Sequence, residues 1–397
     1  MYIAGRNVNS PSRFPADLNV KVISLRIEMA GGPVRSRNIT GLLVGKRTAK
    51  IRLPALDPYP EASLLQIVYI DRGGVGYHCL YYMARLASNM LDAKLVRHPP
   101  ARPALQRKLS GIFASPQASA PTCLLICQSP ADLNSVVSIP ELRRYHGRIV
   151  AWVFDSFWTS MIPQWVRFSR IFLYIFVTEK EVVDIWRRRI PAPVDWLPWG
   201  SDALKLGSSR ADRSLDLLRF GRQPAEWDND ELSEVKCRLL GLSFHGRPES
   251  FTDPEENQRA LMSLLGDTKL ALAFSNRVSP SVQTHPSREY ITGRWTDALA
   301  AGATVAGIPS RSESISTLLW PEALLPLETV DQDEGLAVIA SAVRGWEPAR
   351  ARLNHLRSLE RLDWRWRFSR LAEVLEVRSE RLDNELRLLR ASIHSLQ

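Results

Sequence analysis

Two carboxylates, Glu289 and Asp297, stand eight positions apart in the stretch Arg288-Glu289-Tyr290-Ile291-Thr292-Gly293-Arg294-Trp295-Thr296-Asp297-Ala298-Leu299-Ala300-Ala301-Gly302. The pattern puts Glu289 just before a short helix and Asp297 within it, with Gly302 ending it. From those places both can face one ligand and accept hydrogen bonds from its hydroxyl groups. The helix N-terminus, around Thr292, Gly293 and Arg294, offers free N–H groups to a diphosphate. Carboxylates are more commonly solvated surface charges. Here the small side chains of Ala298-Leu299-Ala300-Ala301-Gly302 demand tight helix-on-sheet packing, which favours a built site.

Other residues could join them. Asp155 follows the apolar run Ile149 to Phe154, so it sits at the carboxyl end of a strand, where α/β sheets bind ligands. The plainer role there is a helix N-cap. His78 could act as a base toward an acceptor hydroxyl, although a lone histidine is more often structural. It follows the turn Asp71-Arg72-Gly73-Gly74-Val75-Gly76. That turn fails the dinucleotide fingerprint, because Cys79 stands where the third glycine belongs. No acidic residue sits suitably on the next strand, which argues against an NAD site. Trp152, Phe157 and Trp158 could stack on a ligand and equally could pack a core.

The elements that must hold these residues alternate. Leu65 to Ile70 reads as a strand, Tyr77 to Leu91 as a helix, Ala93 to Val96 as a strand, and His98 to Ser119 as a Pro-rich loop with a short helix. Strands follow at Thr122 to Cys127, Arg148 to Phe154 and Ile171 to Val177, with a helix or turn at Pro140 to Tyr145 and a helix at Lys180 to Arg189. The pattern then restarts. Strands fall at Leu215 to Phe220, Leu270 to Phe274 and Thr304 to Ile308, and helices at Asp230 to Leu240, Arg294 to Ala301 and Asp333 to Arg344. This is an α/β chain of two Rossmann-like domains facing across a cleft, joined near Leu197 to Ser209. The expected boundaries are 1–64, an extension with a candidate strand Val20 to Ile27, a turn at Gly31-Gly32-Pro33 and Pro-rich 53–60; 65–200 and 201–348, the two domains; and 349–397, a helical tail. In the tail Leu382, Leu386, Leu389, Ile393 and Leu396 form an apolar stripe. It would pack on its own domain, form a homodimer seam, or press its basic reverse face to an acidic membrane.

The Arg288 to Val305 stretch resembles the donor-site motif of GT-B glycosyltransferases, above all the retaining family 4 (group 1) enzymes with two glutamates separated by seven residues. Their Glu-Ala-Leu-Ala-x-Gly is matched by Asp297-Ala298-Leu299-Ala300-Ala301-Gly302. Val194-Asp195-Trp196-Leu197-Pro198-Trp199-Gly200-Ser201-Asp202 is similar to the family's interdomain segment, and Leu218-Arg219-Phe220-Gly221-Arg222 to the first strand of its second domain. The resemblance implies that Glu289 contacts the donor sugar, Asp297 the ribose hydroxyls and Arg222 the diphosphate. It also implies that Gly73, Gly74 and Gly76 let acceptor and donor phosphates approach the first sheet. Two departures stand out. Asp297 is one methylene shorter than the usual Glu, and Glu226-Trp227 stand where the family has a lysine; Arg288 or Arg294 would substitute for it. The expected activity is sugar transfer from a nucleotide-diphosphate sugar to a glycan, lipid-linked or small-molecule acceptor, with retention at the anomeric carbon. A GT-B-fold epimerase and a catalytically dead nucleotide-sugar-binding protein are the alternatives. Neither a metal nor another cofactor is expected.

Composition sets the outer bounds. The 397 residues suit two domains, and 45% apolar with 24% charged residues is ordinary for a globular chain. The apolar run Ile171 to Val177 is far too short to span a bilayer, and no apolar core follows the first basic residues as in a signal peptide. A net charge of +10 suits anionic partners, though arginine-rich coding gives the same excess. No nucleic-acid motif accompanies it. Cys79, Cys123, Cys127 and Cys237 lack zinc spacing and read as reduced and buried, which points to the cytoplasm, at most at the inner face of its membrane.

Overall fold

The computed structural model describes residues 65–112, 121–281 and 284–397, which belong to one compact unit. The expectations for 1–64, and the part of the Pro-rich segment at 113–120, lie outside the described residues.

The first half is a parallel sheet of β1 (Leu65–Ile70), β2 (Lys94–His98), β3 (Thr122–Cys127), β4 (Ile149–Val153), β5 (Phe172–Val177) and β6 (Val194–Trp196), in the order β2-β1-β3-β4-β5-β6. Every residue of β3 and β4 is buried, as apolar runs must be when helices cover both faces. The covering helices are α1 (His78–Met90), α2 (Leu105–Ile112), α3 (Ser135–Ser138) and α4 (Val183–Arg187). The helical spacing read for α1 is the face it buries, through Leu80, Met83, Ala84 and Ala87. The chain then turns through α5 (Ala203–Leu206).

The second half repeats the plan with β7 (Leu215–Arg219), β8 (Phe244–His245), β9 (Thr268–Leu272), β10 (Thr304–Gly307) and β11 (Leu324–Pro326), ordered β11-β10-β9-β7-β8 and all parallel. Its helices are α6 (Asp230–Leu239), α7 (Pro254–Gly266), α8 (Gly293–Ala300), α9 (Glu313–Leu318) and α10 (Gln332–Arg344). Two α/β halves flanking a cleft are the architecture the sequence predicts. The sequence reading omits α7, although Asp253 caps it by accepting from the Glu255 and Glu256 amides and Pro254 opens it. β8 and β11, two and three residues long, are too short to show a period.

The tail is α11 (Pro348–Arg361), α12 (Trp364–Leu375) and α13 (Glu380–Leu396). α11 packs on α8 and β10, but α12 and α13 return to α1 of the first half. Leu382, Leu386 and Leu389 are buried in the same core as Leu80 and Met83, with Ile393 and Leu396 packed against it. Arg381 donates to the Asn89 carbonyl at 2.9 Å. The stripe is covered by its own chain, across both halves, and offers little surface to a dimer seam or a membrane. Among the described residues no helix is long and apolar enough to cross a membrane.

The chain therefore crosses between halves twice, and the crossings bind each other. Ser201 N–H donates to Leu362 O at 2.9 Å, and Trp364 N–H donates back to Ser201 O at 3.0 Å. Beside them the fully buried Arg365 pairs with Asp202 at 2.7 Å, Asp363 at 3.1 Å and Glu385 at 2.8 Å. Tyr82 O–H adds a bond to Asp202 at 2.6 Å, so α1 is held to the same knot.

Candidate functional site

In each sheet the connections reverse direction between two neighbouring strands, β1 and β3 in the first and β7 and β9 in the second. Ligands bind outside the carboxyl ends at such points. The turn after β1 and the turn after β7 both reach one cavity of about 630 Å³ between the halves, the size of a small-molecule site.

The second half supplies two guanidinium groups. Gly221 has φ of +68°, and a Cβ there would collide with Arg294 Cδ, so glycine alone lets Arg294 lie across the turn. Arg294 Nη1 donates to Arg222 O at 2.8 Å and Nη2 to Phe274 O at 3.4 Å. Arg222 Nε donates to Ser279 O at 2.6 Å and Nη1 to Ser281 Oγ at 3.2 Å. Among the described residues neither has a carboxylate partner. Burial, then the neighbouring Arg222, lowers the Arg294 pKa to about 10, still charged at neutral pH. Two guanidiniums fixed by carbonyls and lacking an anion form a receptor for one. The N-terminus of α8 opens beside them, with Thr292 and Gly293 on the cavity wall. Thr292 is the N-cap but makes no cap bond, and its buried Oγ1 has no partner.

Asp297, one turn further along α8, is 4% exposed and lines the cavity. Ser201 Oγ donates to Oδ1 at 2.6 Å and Gln258 Nε2 to Oδ2 at 3.1 Å. Burial raises its pKa to about 6 against the pull of those two donors. A carboxyl that holds its proton more tightly folded than unfolded stabilises the fold in acid, and that contribution is lost as pH rises from about 4 through about 6. Asp297→Asn therefore raises stability above that window, by up to about 3 kcal/mol, in urea unfolding at neutral pH. An unchanged or lower midpoint would show that the charge is well solvated by its donors.

From the first half, Gly76, Tyr77, Cys79 and Asp155 line the cavity. Tyr77 O–H donates to Asp155 Oδ2 at 3.2 Å. Burial raises the Asp155 pKa to about 7, despite the Tyr77 bond and the Arg72 charge that favour the ionised form. The glycine turn is anchored by Arg72, which pairs with Asp132 at 2.7 Å and donates to Ser129 Oγ at 2.8 Å. Gly73 and Gly74 take φ of +74° and +96° to make that turn.

Of the residues singled out in the sequence, Asp155, Asp297, Arg222, Arg294, Thr292, Gly293 and Gly76 come together on this cavity. Glu289, His78, Arg288, Gly73 and Gly74 are not among its lining residues. Glu289 is half-buried and accepts a bond from Ser275 Oγ. His78 begins α1 with its Nδ1 buried and unpartnered. The Arg288 backbone carbonyl accepts from Asn276 Nδ2 at 2.8 Å. Arg294 lies beside Arg222 on the cavity, and Arg288 is off its wall.

The sequence reading misses Tyr77, Gln258, Asn257, Arg247, Glu249 and Tyr290, all on the wall. Arg247 to Ser250 lie in an irregular loop with no period to mark them, and Gln258 lies on the unread α7. Tyr290 stacks on Phe157 with ring centroids 3.8 Å apart, and Trp158 meets His285 at 4.7 Å, so these aromatics join the halves beside Asp155. Cys123, Cys127 and Cys237 are buried, whereas Cys79 is only half-buried, and none is paired. Among the described residues no group of three or more His, Cys, Asp or Glu is placed to hold a metal.

No family model and no curated protein matches the chain. It is similar to solved structures of low identity. Anabaena HepE in complex with UDP is 12% identical with a TM-score of 0.47, over 79% of this chain and 99% of that one. AviGT4, a glycosyltransferase involved in avilamycin A biosynthesis, is 12% identical with a TM-score of 0.44, over 79% and 97%. The pneumococcal O-GlcNAc transferase GtfA in complex with UDP and GlcNAc is 12% identical with a TM-score of 0.41, over 64% of this chain and 56% of that one.

Proposed function

We propose that this protein transfers a sugar from a nucleotide-diphosphate sugar to a hydroxyl of a glycan, lipid-linked or small-molecule acceptor. The observation that carries the reading is the pair of guanidiniums, Arg222 and Arg294, without a carboxylate partner among the described residues, beside the open N-terminus of α8 and opposite Asp155 of the other half. As the bond to the anomeric carbon breaks, negative charge builds on the departing diphosphate. Fixed cations and N–H groups aimed there lower the barrier without reorganising. These cations supply what a divalent metal would otherwise supply, so the reaction requires none. Asp297, already oriented by Ser201 and Gln258, keeps lone pairs for the ribose hydroxyls. Asp155 faces the acceptor.

Retention at the anomeric carbon is what the pair Glu289 and Asp297 implies. Inversion is favoured by a separate observation: Asp155 and its Tyr77 partner line the cavity, whereas Glu289 is bonded to Ser275 off its wall. A carboxylate that takes the acceptor proton during a single displacement inverts the centre.

Incubation with UDP-, GDP-, ADP- and dTDP-sugars and a mixed acceptor panel tests the assignment. Released nucleotide with a glycosylated acceptor is the expected result, and the anomeric configuration of the product assigns the course. An altered sugar without release would make the protein an epimerase. Binding with neither would make it a nucleotide-sugar-binding protein.

A further inference from the structure

The face of the first half shared by α2 and the turn Gln164–Phe168 is apolar, basic and exposed, and the transfer reaction has no use for it. α2 is fixed from beneath. Gly111 packs so closely that a Cβ would fall 2.5 Å from Val137 Cγ1 and 3.3 Å from the Trp165 ring. Ser169 Oγ donates to Gly111 O at 2.8 Å, and Arg107 Nη1 to Ser138 O at 2.6 Å. With that side held, Leu105 and Leu109, one turn apart, project on a common outward side and are 71% and 47% exposed. Phe168, on the turn that packs against α2, is 68% exposed. Single exposed leucines are ordinary. Large apolar side chains grouped on two packed elements mark an interaction surface.

In the two stretches that carry them the charge has one sign. Residues 99–131 and 156–178 contain no Asp or Glu, but carry Arg102, Arg107, Lys108, Arg167 and Arg170. Four of these five are exposed, Lys108 is half-buried, and none has an ion-pair partner among the described residues. Protruding apolar groups flanked along these stretches by cations match a surface that is negative outside and apolar within. A second copy of this face would set like charges against each other, so self-pairing is disfavoured.

We propose that this face docks on an anionic lipid bilayer, with Leu105, Leu109 and Phe168 inserted below the headgroups and the cations on their phosphates. The docking surface lies on the half that carries Asp155. The inference does not rest on the transferase reading, because it concerns residues outside the cavity.

The experiment is sedimentation of the full chain with phosphatidylcholine vesicles, with and without phosphatidylglycerol. Binding is expected only to the anionic vesicles and is reversed by high salt. It falls at least about tenfold in Leu105→Ser/Leu109→Ser/Phe168→Ser and in Arg167→Glu/Arg170→Glu. All of these side chains are exposed, and unchanged thermal unfolding confirms that the variants fold. No binding to anionic vesicles overturns the proposal. So does wild-type binding by both variants, which would move the contact to other cations such as those of α13. A dimer in light scattering that the variants dissociate would make the face a copy-to-copy interface and overturn it too. Nucleoside-diphosphate affinity measured in parallel without vesicles reports on the transferase reading alone.

Discussion

Replacing Arg222 and Arg294 together by alanine lowers kcat/KM for the donor by about 10²–10³-fold or more and abolishes measurable binding of the free nucleoside diphosphate. The reason is the missing anion. Both guanidiniums are fixed by backbone carbonyls, and among the described residues neither is neutralised by a carboxylate. Their charge is therefore unspent until a diphosphate arrives. Arg294 also fills space above Gly221, so Arg294→Gln is the control for lost packing. Arg222→Lys retains a charge but not the forked geometry, and recovers part of the loss. Steady-state nucleotide release and calorimetry provide the readouts. A double variant that binds nucleoside diphosphate like wild type would remove the anion site from the proposal.

The second large effect concerns Asp155. Acting as a base, it must be ionised, so kcat/KM rises as pH increases through about 7 and levels off above. Asp155→Asn lowers kcat by about 10²–10⁴-fold and removes that acid limb. Tyr77→Phe deletes a donor that favours the charged form, so the limb moves to higher pH while activity above it is retained. A merely structural Asp155 would change stability and leave the profile in place. Glu289→Ala completes the comparison. It abolishes turnover if the course is retention through Glu289, and leaves most activity if Asp155 carries an inverting displacement. A pH profile without a limb near neutrality would exclude Asp155 as the base.

The two-sheet plan is legible in the sequence because β3, β4 and β5 are nearly continuous apolar runs and α1 keeps its period. β8 and β11 pair over two and three residues, which leaves no pattern. The donor side is legible for a related reason. Asp297, Gly293 and Arg294 lie on one short helix whose small residues betray its packing, and Arg222 follows a strand directly. The acceptor side is less so. Tyr77 reaches Asp155 from 78 positions away, and Gln258 reaches Asp297 from 39. Such meetings depend on which strands and helices lie side by side within each half, which no local spacing encodes. The return of α12 and α13 to the first half is equally silent, because an apolar stripe states that it is covered but not by what.

The doubled crossing at Ser201 and Asp363 restricts how this molecule can breathe. Two chain passes bonded side by side make a ribbon, and a ribbon flexes across its thin direction while resisting shear and twist. With Arg365 gripped by three carboxylates at its base, the two passes are clamped as one piece. α1 also packs on α7, α12 and α13, so any closure on a ligand has to bend this ribbon and slide those helix contacts together.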